Sequence, residues 1–261
     1  MSTVHAEWTK LRTVPSTGWL LLGTVAGMVV LTTMITASID VSLCPSPTEC
    51  FEDTTKLSLS GVHLGQLAVV LLAVLAVTNE YGTGLIHTTL TARPQRTRVL
   101  LAKSGVVTAV VLGTSAFGVI GSVLVGRIIL PGNGFTVANG YPPLSLEDGP
   151  TLRAAIGTVL YCGLIALLAT GVGLVVRDTA GAIATVLSLL YLFPILAQFI
   201  NNPRWQLWIQ KYAPMNAGLT IQSTIGVDLL PIAPWAGLGV LALWSTATLI
   251  AGALLFLTRD A

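Results

Sequence analysis

The chain has 261 residues, of which 53% are hydrophobic and only 9% are charged. Soluble domains carry roughly 25% charged residues, and one soluble core of this size could not bury so much apolar surface. The formal net charge of +2 is small and spread along the chain, which argues against a nucleic-acid partner. No motif has the spacing of zinc ligands or of a nucleophile elbow, so neither a metal site nor a catalytic residue is predicted. The composition predicts an integral membrane protein.

Six apolar runs are long enough to cross a bilayer, which takes roughly 20 apolar residues in a helix. Each run should be helical, because lipid offers no hydrogen-bond partners to an irregular backbone. The predicted spans are 18–39, 62–78, 99–130, 152–176, 180–200 and 232–257. The predicted fold class is therefore an all-α integral membrane protein, with a single transmembrane domain over residues 1–261.

The lysines and arginines indicate the orientation, because cytoplasmic segments carry an excess of them. If the N-terminus is inside, eight basic residues are cytoplasmic: Lys10, Arg12, Arg93, Arg96, Arg98, Lys103, Arg177 and Arg259. Five are then outside: Lys56, Arg127, Arg153, Arg204 and Lys211. Lys103, Arg127 and Arg153 are expected to extend towards the lipid headgroups from near the span ends. This asymmetry predicts that both termini are cytoplasmic.

The segment before the first span, residues 3–15, has the pattern of a short amphipathic helix. Val4, Trp8, Leu11 and Pro15 fall on one side, while the charged residues lie elsewhere. Such a helix would lie among the lipid headgroups with Trp8 as its anchor. The alternative is an ordinary positively charged N-terminus that only sets the topology.

Three cysteines are present, and two of them are close together in the loop after the first span. On the oxidising outer side, Cys44 and Cys50 could form a disulfide, or remain as two free thiols. Cys162 lies within the fourth span, where it is expected to be a small packing residue.

Polar side chains within the spans are few, and they suggest a possible substrate path. His63 and Gln66 lie near the start of the second span, and Gln198 lies near the end of the fifth. The alternative is that these side chains form hydrogen bonds between helices and only position them. The scarcity of charged residues in the spans disfavours a proton-coupled carrier or a charged-ring channel.

The loop between the second and third spans, residues 80–96, has a second helical pattern. Thr83 could cap a helix whose apolar side is formed by Leu85, Ile86 and Leu90, and Pro94 would end it. An apolar side on a cytoplasmic helix suits docking to another protein. A connector that lies on the membrane would show the same periodicity.

This loop resembles the signature of ABC-2 type transporter permeases. The matching residues are Glu80-Tyr81, Gly84, Ile86, Thr88-Thr89-Leu90, Pro94 and Arg96, followed by Leu101-Ala102-Lys103. Three flanking segments are also similar to that family. They are Glu7-Trp8-x-Lys10-Leu11-x-Thr13, which resembles an elbow helix, Arg177–Ala182, which resembles a tight turn, and Tyr212–Gly218, before the last span.

The resemblance implies a permease that pairs with a second permease copy and binds two ABC ATPase subunits in the bacterial cytoplasmic membrane. The elbow helix would include Trp8, Lys10, Leu11 and Arg12. The ATPase-contacting coupling helix would be formed by Glu80, Tyr81, Gly82, Thr83, Gly84, Leu85, Ile86, His87, Thr88, Thr89 and Leu90. No cofactor is expected on this chain, because it has no Gly-x-x-x-x-Gly-Lys-Ser/Thr loop. ATP and Mg would be bound by the partner ATPase.

The sequence therefore favours the membrane subunit of an ATP-driven exporter. Its apolar spans suit a hydrophobic or amphipathic cargo, first an antibiotic or peptide, then a lipid. The alternative function is a non-transporting membrane anchor or scaffold for a partner protein. An intramembrane enzyme is disfavoured, because the spans bring no acid, base and nucleophile together in sequence.

Overall fold

The computed structural model describes residues 3–41, 52–82, 96–200 and 202–258, and within these ranges all regular structure is helical. The α-helices in chain order are α1 (Thr3–Thr13), α2 (Pro15–Ser38), α3 (Thr54–Ser58), α4 (Val62–Gly82), α5 (Arg96–Ile129), α6 (Gly149–Val176), α7 (Thr179–Phe199), α8 (Pro203–Tyr212), α9 (Pro214–Leu219) and α10 (Pro234–Thr258). Four short 3-10 helices are Leu130–Asn133, Val137–Asn139, Thr220–Gln222 and Val227–Leu229. Six helices (α2, α4, α5, α6, α7 and α10) are long and apolar enough to cross a membrane. This finding confirms six apolar helices at the predicted places.

The helix ends differ from the predicted spans where local chemistry extends a helix beyond its apolar run. α2 begins at Pro15, because proline at the first helical position is already in the required backbone conformation. The extended backbone of Val14 separates it from α1. α4 continues to Gly82 rather than ending at residue 78, and α5 begins at Arg96 rather than at 99. The polar ends of both helices thereby lie side by side.

Helix α6 is the centre of the bundle and packs against α4, α5, α7 and α10. Two thirds of its most apolar stretch is buried, whereas only about a fifth of the corresponding stretch is buried in α2, α7 and α10. Small residues allow the close approach. Gly157 contacts Ile221, and Gly171 lies against the backbone of α10 at Thr248 and Leu249. The exposed helices show apolar side chains on their outer surfaces, as lipid-facing helices do.

The two ends of the bundle are built differently. At one end, called here the α1 end, α1 packs on α5 beside the last turn of α4. The opposite end carries α3, α8, α9 and the 3-10 helices. There Asp53 caps α3 through the Lys56 amide, at 3.1 Å. Asp53 also accepts hydrogen bonds from the Thr224 hydroxyl at 2.8 Å and from the Ile225 amide at 3.1 Å. One carboxylate thus joins α3 to the segment before the last span.

The predicted orientation can be tested at exposed positions on the two ends, in a variant without the natural cysteines. Ala138, on the opposite end, and Thr258, at the end of α10, are both exposed. Because the positive-inside rule places the α1 end in the cytoplasm, we expect Ala138→Cys to react with an impermeant maleimide in sealed cells. Thr258→Cys should react only after permeabilisation. Labelling of Thr258→Cys in sealed cells would reverse the orientation.

Candidate functional site

Helix α1 lies at the place of the predicted elbow helix, and it directs Glu7 and Lys10 towards α4 and α5. Val4 and Trp8 are exposed, while Leu11 packs against the main core. Glu7 is buried although it is acidic, and Arg12 is exposed. The structure therefore shows a helix at this place with Val4 and Trp8 on its outer surface beside polar residues such as Arg12. Its role as an elbow helix among lipid headgroups stays a prediction.

Glu7 belongs to a group of four charged side chains, called here the charge cluster: Glu7, Lys10, Glu80 and Lys103. Lys103 Nζ lies 3.1 Å from Glu7 Oε2 and 2.7 Å from Glu80 Oε1. It also donates to the Ala76 carbonyl, at 3.0 Å. Lys10 Nζ donates to Glu7 Oε1 and Glu80 Oε1, both at 2.8 Å. The cluster connects α1 to the last turn of α4 and the first turns of α5.

The balance of charge explains how these groups can be buried. The side chains of Glu7, Glu80 and Lys103 are only 6%, 8% and 7% exposed, and Lys10 is 42% exposed. Two carboxylates and two ammonium groups cancel formally, which offsets part of the cost of removing them from water. Burial by itself lowers the pKa of Lys10, but hydrogen bonds to Glu7 and Glu80 and their negative charges raise it above its ordinary value. Lys10 therefore stays charged at physiological pH.

The location of Lys103 corrects one expectation. Its position near the start of the third span suggested that it extends towards the headgroups. In the structure it is buried between two carboxylates instead. The reason is tertiary: α1 and α4 both bring an acidic side chain to this level, and pairing with them replaces hydration of the ammonium.

The last turn of α4 is also held from its other side, by the turn between α6 and α7. Two residues connect these helices, and the first of them, Arg177, has a left-handed backbone conformation with φ 60°. Its guanidinium carbon lies 5.1 Å from the centre of the Tyr81 ring, a cation–π contact. Arg177 Nη2 also donates to the Leu255 carbonyl of α10, at 3.0 Å. Thr179 donates to Thr78 at 2.8 Å.

Only part of the predicted coupling helix lies in the described residues. Glu80, Tyr81 and Gly82 form the end of α4, while Thr83–Leu90 lie outside the described part. The rest of that helix therefore stays a prediction. The same holds for the Cys44–Cys50 disulfide, since both cysteines lie outside the described residues. Cys162 is a free thiol, fully buried in the main core.

The three residues proposed for a substrate path lie in three different environments. Gln66 is fully buried, where its amide nitrogen donates to the Tyr191 hydroxyl and its oxygen accepts from the Tyr161 hydroxyl, both at 2.6 Å. His63 is half-buried and lines a cavity of about 500 Å³ at the opposite end. Gln198 is exposed on α7. Gln66 thus joins α4 to α6 and α7, whereas His63 lines a cavity to which neither Gln66 nor Gln198 contributes. A role of the three residues in a substrate path stays a prediction.

The sequence contained a signal for the charge cluster that the pattern analysis did not use. Two acids and two lysines lie near the ends of apolar runs that a positive-inside topology places on one side. An acidic side chain at the end of an apolar run favours pairing with a nearby lysine over independent exposure. Within the described ranges, no group of three or more His, Cys, Asp or Glu side chains could hold a metal ion.

The chain matches no model of a known protein family and no curated protein sequence. At the α1 end, the last turn of α4 forms ion pairs with α1 and α5 and a cation–π contact with Arg177 of the α6–α7 turn. Arg177 in turn donates a hydrogen bond to α10. These contacts connect the end of α4 to α1, α5, the α6–α7 turn and, through Arg177, α10.

Proposed function

We propose that the chain is the membrane-spanning permease subunit of an ATP-binding cassette exporter. It moves a hydrophobic or amphipathic substrate outward, driven by ATP hydrolysis on a separate subunit. Six apolar helices supply the membrane domain. The motif resemblance in the loop after α4 supplies the link to ABC-2 type permeases.

The observation that carries this proposal is the fixation of the last turn of α4, from which the predicted coupling helix continues. Lys103 and Lys10 hold Glu80 towards α5 and α1, while Arg177 holds Tyr81 towards the α6–α7 turn. A displacement of the loop by an ATPase would therefore be passed to several helices together rather than absorbed by one flexible joint. Rigid-body motion of packed helices is a common means of switching.

The complex proposed has two such permeases and two ATPase subunits, with ATP and Mg on the ATPases. It would lie in the bacterial cytoplasmic membrane, with the α1 end towards the cytoplasm. The cargo would be an antibiotic, a peptide or a lipid, because the bundle interior is mainly apolar.

The coupling role predicts a strong effect of Leu90→Asp. If Leu90 docks into an ATPase, the change buries an unpaired carboxylate at the contact, at a cost of a few kcal/mol. Since each ~1.4 kcal/mol is tenfold in affinity, ATPase co-purification should fall by about two orders of magnitude or more. Transport should fall with it. The measurement is recovery of the ATPase that accompanies the unaltered chain, with transport assayed in the same vesicles.

The matched control is Thr88→Asp, which adds the same charge on the side of the predicted helix away from Leu85, Ile86 and Leu90. It should leave ATPase recovery near normal, and both variants should insert into the membrane equally well. Full recovery of the ATPase with Leu90→Asp would mean that this loop is not the coupling element. ATPase binding without any ATP-dependent transport, in the unaltered chain, would favour the scaffold function instead.

A further inference from the structure

The end of the bundle opposite α1 contains a cavity of about 500 Å³, between α3, the first turn of α4 and the segment before α10. Its volume lies in the usual range for sites that bind small ligands. Part of the lining is apolar and is formed by Leu57 of α3 and by Ile225, Leu229 and Leu230 of that segment. Leu229 is 90% exposed, so this apolar surface can be reached from outside the protein. It suits a ligand with apolar side chains.

Gln222 brings an unpaired polar atom to the same lining. The residue is only 2% exposed, and its amide nitrogen donates to the Leu59 carbonyl at 3.3 Å and to the Thr158 hydroxyl at 3.1 Å. Its Oε1 accepts no hydrogen bond from any residue that the structure describes, yet this oxygen is not one of the unpaired atoms that are closed off from solvent. Because Gln222 is otherwise enclosed and lines this cavity, a ligand there can reach the oxygen.

Ser223 and His63 add two side chains that have no hydrogen-bond partner among the described residues. Ser223 is 5% exposed, and its carbonyl accepts from Arg153 Nη2 at 2.6 Å, while its hydroxyl is unpaired. The His63 carbonyl accepts from the Tyr191 hydroxyl at 2.7 Å, while both ring nitrogens are unpaired. None of these side-chain atoms is closed off from solvent. The backbone of both residues is thus held, and the hydroxyl and the imidazole remain available in the cavity.

The charged residues of the cavity argue against a ligand with a charged head. The Asp53 carboxylate accepts four hydrogen bonds, three from backbone amides and one from the Thr224 hydroxyl, and so has no lone-pair site to spare. Glu52 and Lys56 are exposed and carry opposite charges. A phosphate would therefore meet one exposed lysine beside two acids. The uncharged polar groups of the lining are then the ones that select the ligand.

We propose that this cavity binds a hydrophobic peptide through its backbone. A peptide amide is uncharged and carries a donor and an acceptor, as the unpaired groups require. One peptide N–H donates to Gln222 Oε1, and a neighbouring carbonyl accepts from the Ser223 hydroxyl or the His63 ring. A sugar also offers donors and acceptors, but the apolar lining would leave most of its hydroxyl groups unpaired. Binding stands on the cavity alone, whereas the identification of the peptide as the exporter's cargo rests on the proposed function.

The test uses the full chain in nanodiscs and a mixture of N-acetylated, C-amidated tetrapeptides of Leu, Ile, Val and Phe. Bound peptides are quantified by mass spectrometry, and the amount bound by empty nanodiscs is subtracted. The matched probe is the same mixture methylated at every amide nitrogen, which stays apolar but donates no hydrogen bond. At least about tenfold less of it should be retained, because Gln222 Oε1 is then covered without a donor. Equal retention of both mixtures, or none above empty nanodiscs, would overturn the proposal.

A pair of side-chain changes locates the site. The double variant His63→Phe with Ser223→Ala removes the ring nitrogens and the hydroxyl without breaking a hydrogen bond of the described structure. It should therefore keep the melting midpoint of the unaltered chain and retain at least about tenfold less peptide. Ser122→Ala, which removes an unpaired hydroxyl from α5 outside this cavity, should retain peptide at the unaltered level. Full retention by the double variant would exclude this cavity as the site.

Two further measurements separate the occupant from its role. Lysophosphatidylglycerol should not displace the peptides, and displacement as readily as by excess peptide would assign the cavity to a lipid instead. Export is assayed in vesicles that contain the ATPase. Peptides that bind but are not exported would contradict their assignment as cargo. Loss of ATP-dependent transport altogether, with peptide binding intact, would contradict the proposed function and not the binding site.

Discussion

Lys103→Met should lower the free energy of unfolding by about 3–5 kcal/mol, the usual cost of removing one partner from a buried ion pair. Methionine keeps most of the side-chain volume but removes the ammonium that lies between Glu7 and Glu80. One buried carboxylate is then left without a matching charge. On the scale of about 2–4 °C per kcal/mol for soluble domains of this size, the melting midpoint in mild detergent should fall by roughly 10 °C.

Two further variants separate charge from packing. Lys10→Met removes the same charge from a side chain that is 42% exposed, so water can replace part of the lost interaction and the loss should be smaller. The double variant Lys103→Met with Glu80→Gln restores neutrality and should regain part of the lost stability. An unchanged midpoint for Lys103→Met would mean that the cluster does not stabilise the folded protein. If the double variant has the same melting midpoint as Lys103→Met, the loss of stability comes from packing and not from the unpaired charge.

The helices were predictable because their signal is local. A run of roughly 20 apolar residues must be helical in lipid, whatever it packs against. The predicted spans therefore agree with α2, α4, α5, α6, α7 and α10, with differences of up to four residues where polar ends such as Glu80–Gly82 continue a helix. The tight turn at Arg177–Ala182 was expected from the resemblance alone. In the structure Asp178 caps α7 by accepting from the Gly181 amide at 2.7 Å.

The arrangement of the helices was not predictable from periodicity. In water, the buried face of a helix is apolar and the exposed face is polar, but in lipid both faces are apolar. The pattern therefore did not identify α6 as the central helix. Its small residues, such as Gly157, Gly163 and Gly171, were the available signal. The partners of Lys103 and Gln66 lie far away in sequence, on α1, α4, α6 and α7, so no spacing rule could pair them.

Gly171→Val should disrupt the contact between α6 and α10, with a melting midpoint several degrees lower than that of the unaltered chain. A Cβ atom at this position would lie 2.6 Å from the Leu249 amide nitrogen and from the Thr248 carbonyl carbon. These are backbone atoms, so no change of rotamer can relieve the clash and the two helices must separate. Overpacking of this kind typically costs about 1–3 kcal/mol. The contact is also close to Gly252, where a Cβ would lie 2.8 Å from the Gly171 carbonyl oxygen.

The contact between α6 and α10 can also be tested by adding a single methyl group, since the direction of the stability change should depend on where it is added. Gly171→Ala should destabilise the protein, because the first carbon beyond Cα already meets the backbone of α10. Gly113→Ala makes the identical change in α5, at an exposed position where no heavy atom lies within 4 Å of the new Cβ. There alanine should be neutral or raise stability by up to about 1 kcal/mol, because it is the better helix former. Melting midpoints of the two variants should therefore move apart. If both rise together, α6 and α10 do not pack at Gly171. The hydrogen bond from Arg177 to Leu255 and the packing of Leu174 against Phe256 would then hold α10 beside the α6–α7 turn.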